Sequence, residues 1–137
     1  MIKLLIGVKG TGKTKTLIEK ANAAVASTKG NVVVLEKGVK LRFDIDNHAR
    51  LLNTNEYFVF DGEALYGFVA GIFASNNDVT DLFIDSALKI CNNDIPAFEK
   101  FLLDLDELMT KANMDINVLI TASLAENEAT DVIKKHL

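Results

Sequence analysis

The chain has 137 residues, of which 49% are hydrophobic and 25% charged, so one globular domain over 1–137 is expected and a disordered chain is excluded. The formal net charge is −4 and no stretch clusters basic residues, which disfavours nucleic acid as a partner, because lysine and arginine make the contacts to phosphate backbones. The single cysteine rules out an intramolecular disulfide, and no apolar stretch is long enough for a signal sequence or a membrane span, so a cytoplasmic protein without membrane contacts is expected.

The first predicted elements are a strand, a glycine-rich turn and a helix. Residues 2–6 are a short apolar run that ends at Gly7, and residues 13–26 carry apolar side chains at helical spacing. Residues 31–36, with the sequence NVVVLE, form an uninterrupted run of the kind that is buried on both faces of a parallel sheet. The beginning of the chain therefore predicts a βαβ unit.

The middle of the chain predicts an addition to this unit. Between residues 38 and 53 apolar and polar side chains alternate, which favours an inserted, half-exposed β-hairpin. Residues 57–60 are a further candidate strand. Asp61 stands where it can cap a helix that runs to about residue 74.

The remainder of the chain alternates strand and helix again. Residues 81–85 and 117–122 predict buried strands, and residues 97–112 predict an amphipathic helix with Pro96 near its first turn. Residues 126–136 are expected to close the domain as a short helix. This alternation predicts an α/β fold, a three-layer sandwich with a mainly parallel sheet.

The segment from Gly7 to Thr14, GVKGTGKT, matches the phosphate-binding pattern G-x-x-x-x-G-K-[ST] at every fixed position, between a predicted strand and a predicted helix. In such a loop, backbone N–H groups point at phosphate oxygens, the lysine reaches the β- and γ-phosphates, and the last hydroxyl ligates Mg²⁺. A chance match in a chain of this length has a probability of roughly half a percent. The motif predicts a nucleoside triphosphate site with Thr14 on the metal, Lys13 as a catalytic contact, and nucleotide-binding residues Gly10, Thr11, Gly12, Lys13 and Thr14.

Such a site also needs a carboxylate at the end of a buried strand, which holds the water shell of Mg²⁺. Asp85 and Asp61 both follow apolar triplets, LFI and FVF. The segment DLFIDSAL is similar to the Walker B segment of RecA-type ATPases, in which serine follows the aspartate, whereas Asp61 also suits the N-cap of a helix. Asp85 is therefore the favoured magnesium ligand, and Asp61 is the alternative.

The order of these parts resembles the RecA-like core of P-loop ATPases. The resemblance implies that the strand after the P-loop helix ends in a glutamate that polarises the attacking water, which here is Glu36. It also implies a last core strand that lies between the P-loop and Walker B strands and presents a polar sensor to the γ-phosphate, here Thr121 or Ser123. An ordinary surface glutamate, and polar residues that end a strand in a turn, fit the same positions.

The chain is also similar to small stand-alone bacterial P-loop ATP-binding proteins, some of which carry the label of twitching-motility ATPase. That label implies a hexameric motor with arginine contacts and a Walker B glutamate. This sequence has only two arginines, Arg42 and Arg50, and a serine after Asp85. The resemblance supports a nucleotide-binding core and gives no support for a motility role.

Three functions stay open at this point, and ATP is the expected nucleotide because the guanine-reading motif Asn-Lys-x-Asp is absent. An ATPase or ATP-driven switch would use Glu36 as its base, and Arg42 or Arg50 could act in trans if the protein self-assembles. A non-hydrolysing binding module would use ATP to order a surface for a protein partner, such as residues 40–53 or 65–73. A small-molecule kinase would need more cationic residues than two arginines around the transferred phosphate.

Overall fold

The structure is a computed structural model that describes all residues, 1–137. Five strands form one sheet in which each strand is parallel to its neighbours: β1 (Ile2–Gly7), β2 (Asn31–Glu36), β3 (Arg50–Asn53), β4 (Val79–Ile84) and β5 (Asn117–Ser123). The order across the sheet is β1-β5-β4-β2-β3, so β5 lies between β1 and β4. The predicted α/β class and parallel sheet are confirmed.

Helices cover both faces of this sheet. They are α1 (Lys13–Ser27), α2 (Gly62–Ser75), the single-turn α3 (Ala87–Ile90), α4 (Ile95–Lys111) and the single-turn α5 (Asp131–Lys134). Successive residues of a strand point to opposite faces, so Leu82 and Ile84 of β4 join the larger core with α2 and α4, whereas Phe83 joins a smaller core with α1. This layering is compatible with a three-layer sandwich. None of the helices is both long and apolar enough to cross a lipid bilayer.

The predicted hairpin over 38–53 is wrong. Residues 38–49 form an irregular loop, and only β3 is extended, where it pairs in parallel with β2 at the edge of the sheet. The buried apolar residues of the loop, Leu41, Ile45 and Ala49, are four positions apart and pack into the smaller core, whereas Phe43 is 88% exposed. A repeat of four suits successive turns that fold over the α1 face, and a strand would instead bury every second residue.

Asn22 of α1 anchors this loop through both atoms of its amide. Its Nδ2 donates to the carbonyl of Asp44 at 2.9 Å, and its Oδ1 accepts from the N–H of Asp46 at 2.8 Å. We expect Asn22→Ala to lower the free energy of unfolding by about 1 to 2 kcal/mol, because two loop groups lose their partner. Urea denaturation followed by circular dichroism measures the loss. Glu19→Ala, on the same helix, is the control and should change stability by less than about 0.5 kcal/mol; equal effects would contradict the anchoring role.

Two other predicted elements need correction. Residues 57–60 are not a strand: a 3-10 turn occupies Thr54–Tyr57, and Phe58 follows with a left-handed φ of 57°. The N–H of Val59 donates back to the Thr54 carbonyl at 3.1 Å, so it is not available for a sheet ladder. The predicted closing helix over 126–136 is a 3-10 turn, Glu126–Glu128, followed by the single turn of α5.

The predicted start of α2 is confirmed, and α4 begins two residues before its predicted start, at Ile95. The side chain of Asp61 accepts a hydrogen bond from the N–H of Ala64 at 2.7 Å and so caps α2. Pro96 is the second residue of α4, where a missing N–H costs nothing because the first N–H groups of a helix have no partner in it.

The outer edge of β1 is met by residues from the C-terminal part of the chain. The N–H of Leu4 donates to the carbonyl of His136 at 2.8 Å, and Gly7 forms an antiparallel bridge with Leu124. Burial lowers the pKa of His136 below its ordinary value. Burial therefore favours the neutral form of the His136 imidazole, whereas the hydrogen bond to Leu4 uses the backbone carbonyl of His136.

Candidate nucleotide site

Three polar side chains from neighbouring strands lie on the face of the sheet that α1 covers. The register pairs Val34 of β2 with Phe83 of β4 and Phe83 with Leu119 of β5, and all three join the core with α1. Two residues further along each chain segment, and therefore on the same face, stand Glu36, Asp85 and Thr121. They lie at the carboxyl ends of parallel strands, where open α/β sheets bind ligands.

The hydroxyl of Thr14 contacts the carboxylate of Asp85, although 71 positions separate them in sequence. Thr14 Oγ1 lies 3.1 Å from Asp85 Oδ1 and 3.3 Å from Oδ2. Thr121 Oγ1 donates to Asp85 Oδ1 at 2.7 Å and accepts from the N–H of Ser86 at 2.8 Å, which fixes the orientation of the carboxylate. The fold thus brings together the two residues that the sequence predicts as magnesium ligands.

The loop between β1 and α1 presents backbone donors without partners. From Gly12 to Lys15 no N–H donates a hydrogen bond within the chain, and the first that does is that of Thr16, to the Gly12 carbonyl. Gly12 precedes the helix in the left-handed region, with φ 83°, where a side chain would be strained. At Gly7 a Cβ would lie 2.7 Å from Thr11 Oγ1. The free amides and the positive end of the helix dipole favour an anion at this place.

The ammonium group of Lys13 lies over this loop. Its Nζ donates to the carbonyl of Val8 at 2.9 Å and to Thr11 Oγ1 at 3.2 Å, and Thr11 Oγ1 also donates to the Val8 carbonyl at 2.8 Å. The ion pairs of the chain involve other residues, so no carboxylate neutralises Lys13. Its charge is free to act on a ligand in the cleft.

Glu36 is only 4% exposed and holds the loop that follows it. Its Oε1 accepts from the N–H of Lys40 at 2.8 Å, and its Oε2 accepts from the N–H of Leu41 at 3.1 Å. Burial raises the pKa of Glu36 above its ordinary value, and the nearby Asp85 carboxylate adds to that rise, although the two amide donors oppose it. The structure places Glu36 in the same cleft as Asp85, with its carboxylate occupied by backbone amides.

These groups line one cleft of about 580 Å³. Of its 18 lining residues only two, Leu41 and Leu88, are hydrophobic. Two carboxylates, Glu36 and Asp85, face six lysines, which gives the cleft a net charge of +4 in a protein whose total is −4: Lys9, Lys13, Lys15, Lys37, Lys40 and Lys89. None of these lysines forms an ion pair with a carboxylate. The cleft is therefore suited to a ligand with several negative charges.

Other residues that the sequence singled out fall in different places. Ser123 lines the cleft and its hydroxyl makes no hydrogen bond in the chain, so of the two sensor candidates it is the one with a free hydroxyl. Asp61 caps α2 and does not line the cleft. Arg42 and Arg50 are also outside it; the guanidinium of Arg42 lies 4.9 Å from the ring of Phe43.

Sequence reasoning missed the three lysines that complete the far side of the cleft, Lys37, Lys40 and Lys89. Lys37 follows β2 directly, Lys40 lies three residues further along, and Lys89 lies in the helical turn after Asp85. Their position just past the carboxyl ends of predicted strands was a usable signal, because these ends meet at one edge of a parallel sheet. The signal is this position in the chain, because a lysine in any other predicted loop is most simply a solvated surface residue.

The oxygen donors of Thr14 and Asp85 fit Mg²⁺, which takes few protein ligands and keeps water and phosphate oxygens for the rest. No group of three or more His, Cys, Asp or Glu side chains is placed to hold a metal ion by itself. Thr14 and Asp85 alone would leave most coordination positions of such a cation to water or to a ligand. No protein-family model matches the chain, and no curated protein matches it either.

Proposed function

We propose that the protein binds ATP with Mg²⁺ in this cleft. The observation that carries the proposal is the 3.1 Å contact of Thr14 with Asp85, at the base of a loop whose amides from Gly12 to Lys15 have no partner in the chain. Lys13 adds an uncompensated ammonium group beside these amides. A polyphosphate accepts hydrogen bonds from such donors and ligates the cation that a threonine and an aspartate hold.

Thr14 and Asp85 would hold the metal, which would supply positive charge for the phosphate oxygens of the nucleotide. Thr121 contributes indirectly, because its hydrogen bond of 2.7 Å holds the Asp85 carboxylate toward Thr14. The proposed role of Thr121 is therefore to position Asp85, and Ser123 is the remaining candidate for a contact to the terminal phosphate.

The order of strands supports a RecA-like arrangement within this proposal. β5 lies between β1, which leads into the loop, and β4, which ends at Asp85. That is the position the resemblance implies for the last core strand. A location in the cytoplasm, where ATP and Mg²⁺ are both supplied, is part of the same proposal, and a motility role is not.

Hydrolysis of ATP is the first use that we propose for the bound nucleotide. Glu36 would accept the proton of a water molecule whose oxygen attacks the terminal phosphorus, while the bond from that phosphorus to the leaving ADP breaks. The raised pKa of Glu36 suits this role, because a base works best when its pKa approaches the working pH. The base must first release at least one of the amides of Lys40 and Leu41.

The hydrogen bonds of Glu36 with the amides of Lys40 and Leu41 favour the second candidate, a switch or binding module that holds ATP without hydrolysing it. Glu36 joins the nucleotide cleft to the loop of residues 38–49, which carries the exposed pair Arg42 and Phe43. A ligand that changes the position of Glu36 would alter the start of this loop and the surface it offers to a protein partner or a second copy. Phosphate release from pure protein distinguishes this candidate from the first.

The proposal is tested by replacing the aspartate that would hold the metal. We expect Asp85→Asn to weaken the binding of MgATP by about 10- to 100-fold, because asparagine keeps the shape and loses the charge that the hydrated cation needs. Affinity for ATP in EDTA should change little or rise. Isothermal titration calorimetry with and without Mg²⁺ measures both.

Asp61→Asn is the matched control, since asparagine caps a helix as well as aspartate does and this residue lies outside the cleft. It should bind MgATP as the unaltered protein does. Absence of ATP binding by the unaltered protein at millimolar concentration, or equal effects of the two variants, would overturn the proposed site.

A further inference from the structure

The lysines of the cleft come from two parts of the chain, before and after β2. Lys9, Lys13 and Lys15 belong to the loop and the first turn of α1, where the proposed triphosphate lies. The second group, which we call the distal lysines, consists of Lys37, Lys40 and Lys89.

The strand order places Lys37 on the side of Asp85 that lies away from the loop. The loop follows β1, Asp85 follows β4, and Lys37 follows β2, which is the next strand after β4 across the sheet. The N–H of Asp85 donates to the Leu35 carbonyl at 2.9 Å, so the ends of these two strands are level. Adjacent strands are about 5 Å apart, which is enough to separate a second bound group from the first.

Lys37 is held in position by neutral partners. Its Nζ donates to Asn55 Oδ1 at 3.0 Å and lies 5.5 Å from the centre of the Phe60 ring. Asn53 Oδ1 in turn accepts from the N–H groups of Gly38 and Asn55, at 2.9 and 3.0 Å. These contacts orient the ammonium group without neutralising it.

The charge of the cleft exceeds what one nucleotide requires. A triphosphate with Mg²⁺ carries a charge of about −2, whereas the cleft carries +4. Elsewhere in the protein three lysines do pair with carboxylates: Lys100, Lys111 and Lys135. The distal lysines make no such pair.

We propose that the distal lysines bind a second phosphate group, carried by a small molecule that sits beside the terminal phosphate of the nucleotide. This inference rests on the proposed ATP site. Lysine suits such a ligand because its ammonium group is a compact point charge that binds phosphate. Glu36 directly precedes Lys37 and accepts from the N–H of Lys40 at 2.8 Å, so its carboxylate lies beside this group of lysines. In phosphoryl transfer to such a molecule, its hydroxyl would give a proton to Glu36 as its oxygen bonds to the terminal phosphorus, and the bond from that phosphorus to the leaving ADP would break.

The experiment uses protein saturated with Mg²⁺ and a non-hydrolysable ATP analogue, so that the loop is filled, and inorganic phosphate as the probe in calorimetric titrations. The variant that replaces all three distal lysines with glutamine, K37Q/K40Q/K89Q, should bind phosphate at least about tenfold more weakly, since each charged hydrogen bond contributes more than that factor requires. Its affinity for the analogue is measured separately, so that each titration with phosphate is made with the nucleotide site saturated. The control K20Q/K29Q/K134Q removes the same charge from exposed lysines outside the cleft and should bind phosphate normally.

The outcomes separate the two proposals. If the analogue binds but phosphate does not, or if both triple variants weaken phosphate equally, the distal site is overturned and the ATP site stands. If malonate binds the distal site more tightly than phosphate does, a carboxylate ligand replaces the phosphate that we propose. If the analogue itself fails to bind the unaltered protein, both proposals fall.

Discussion

Replacing Lys13 with methionine is expected to weaken ATP binding by at least about 100-fold, because hydrogen bonds to charged groups contribute about 1.5 to 3 kcal/mol each and this ammonium can reach two phosphates. Methionine keeps a flexible apolar chain and removes the charge. Folding should be nearly unaffected, since the present contacts of Lys13, to Val8 and Thr11, are exposed hydrogen bonds of its own loop. Calorimetric titration of ATP measures the affinity, and thermal unfolding checks the fold.

Lys9→Met is the matched control for this variant. Lys9 lies in the same loop and lines the same cleft, but it is exposed and makes no hydrogen bond. Its replacement lowers the general positive charge by the same amount and should cost less than about threefold in affinity. If both variants lose affinity equally, the loop acts only as a basic surface and the specific role of Lys13 is wrong.

Glu36→Gln is expected to lower the rate of ATP hydrolysis by about 10² to 10⁴-fold, the range that removal of a general base produces. Glutamine preserves the size of the side chain and one oxygen that can accept from Lys40 or Leu41. Binding of MgATP should therefore stay within a few-fold of the original value. Phosphate release in single-turnover conditions measures the rate, and Glu19→Gln on the exposed side of α1 is the control.

The pH dependence of this pair gives an independent check. Burial raises the pKa of Glu36 above its ordinary value. As the pH is lowered, the rate of hydrolysis should therefore begin to fall at a higher pH than it would with an exposed glutamate as the base. Glu36→Gln should not show this fall in rate. The free energy of unfolding depends on pH in the opposite direction to the rate. A raised pKa means that the folded state binds the proton more tightly, so the unaltered protein loses stability relative to the variant as pH rises through that pKa.

Two results would contradict the assignment of Glu36. Hydrolysis at the original rate by Glu36→Gln would exclude it as the base. Tight ATP binding without phosphate release in either form would leave the ATP site intact and favour the binding module, in which Glu36 links the cleft to the loop of residues 38–49.

The sequence was sufficient for the central strands and the longer helices because their patterns are local. β2 and β5 read as buried strands from uninterrupted apolar runs, and Asp61 and Pro96 mark helix starts through their own backbone chemistry. The loop of residues 38–49 was mispredicted because Leu41 and Ile45 fit a period of two as well as a period of four. Only the exposed Phe43 decides between them, and its exposure depends on the packing of α1.

The same distinction applies to the site. The loop motif is contiguous, so its residues could be named from sequence; the need for a carboxylate at a strand end led to Asp85 and Asp61, and the resemblance to RecA-like cores led to Glu36. The contact of Thr14 with Asp85 joins segments 71 positions apart. The use of Thr121 to orient Asp85, and the gathering of Lys37, Lys40 and Lys89 in one cleft, follow from strand order and loop path, which local patterns do not encode.

The hydrogen bond from Leu4 to His136 has a consequence for how the sheet could polymerise. Unpaired strand edges are templates for edge-to-edge aggregation, and a long flat edge is the most hazardous. Here the six-residue β1 has part of its outer edge occupied by the chain itself, and the opposite edge is the four-residue β3, which begins with a charged arginine. Growth of a fibril by strand addition is therefore hindered at both edges of the sheet, because one edge is partly occupied and the other is short and charged. This protection matters in a chain of which 49% is hydrophobic.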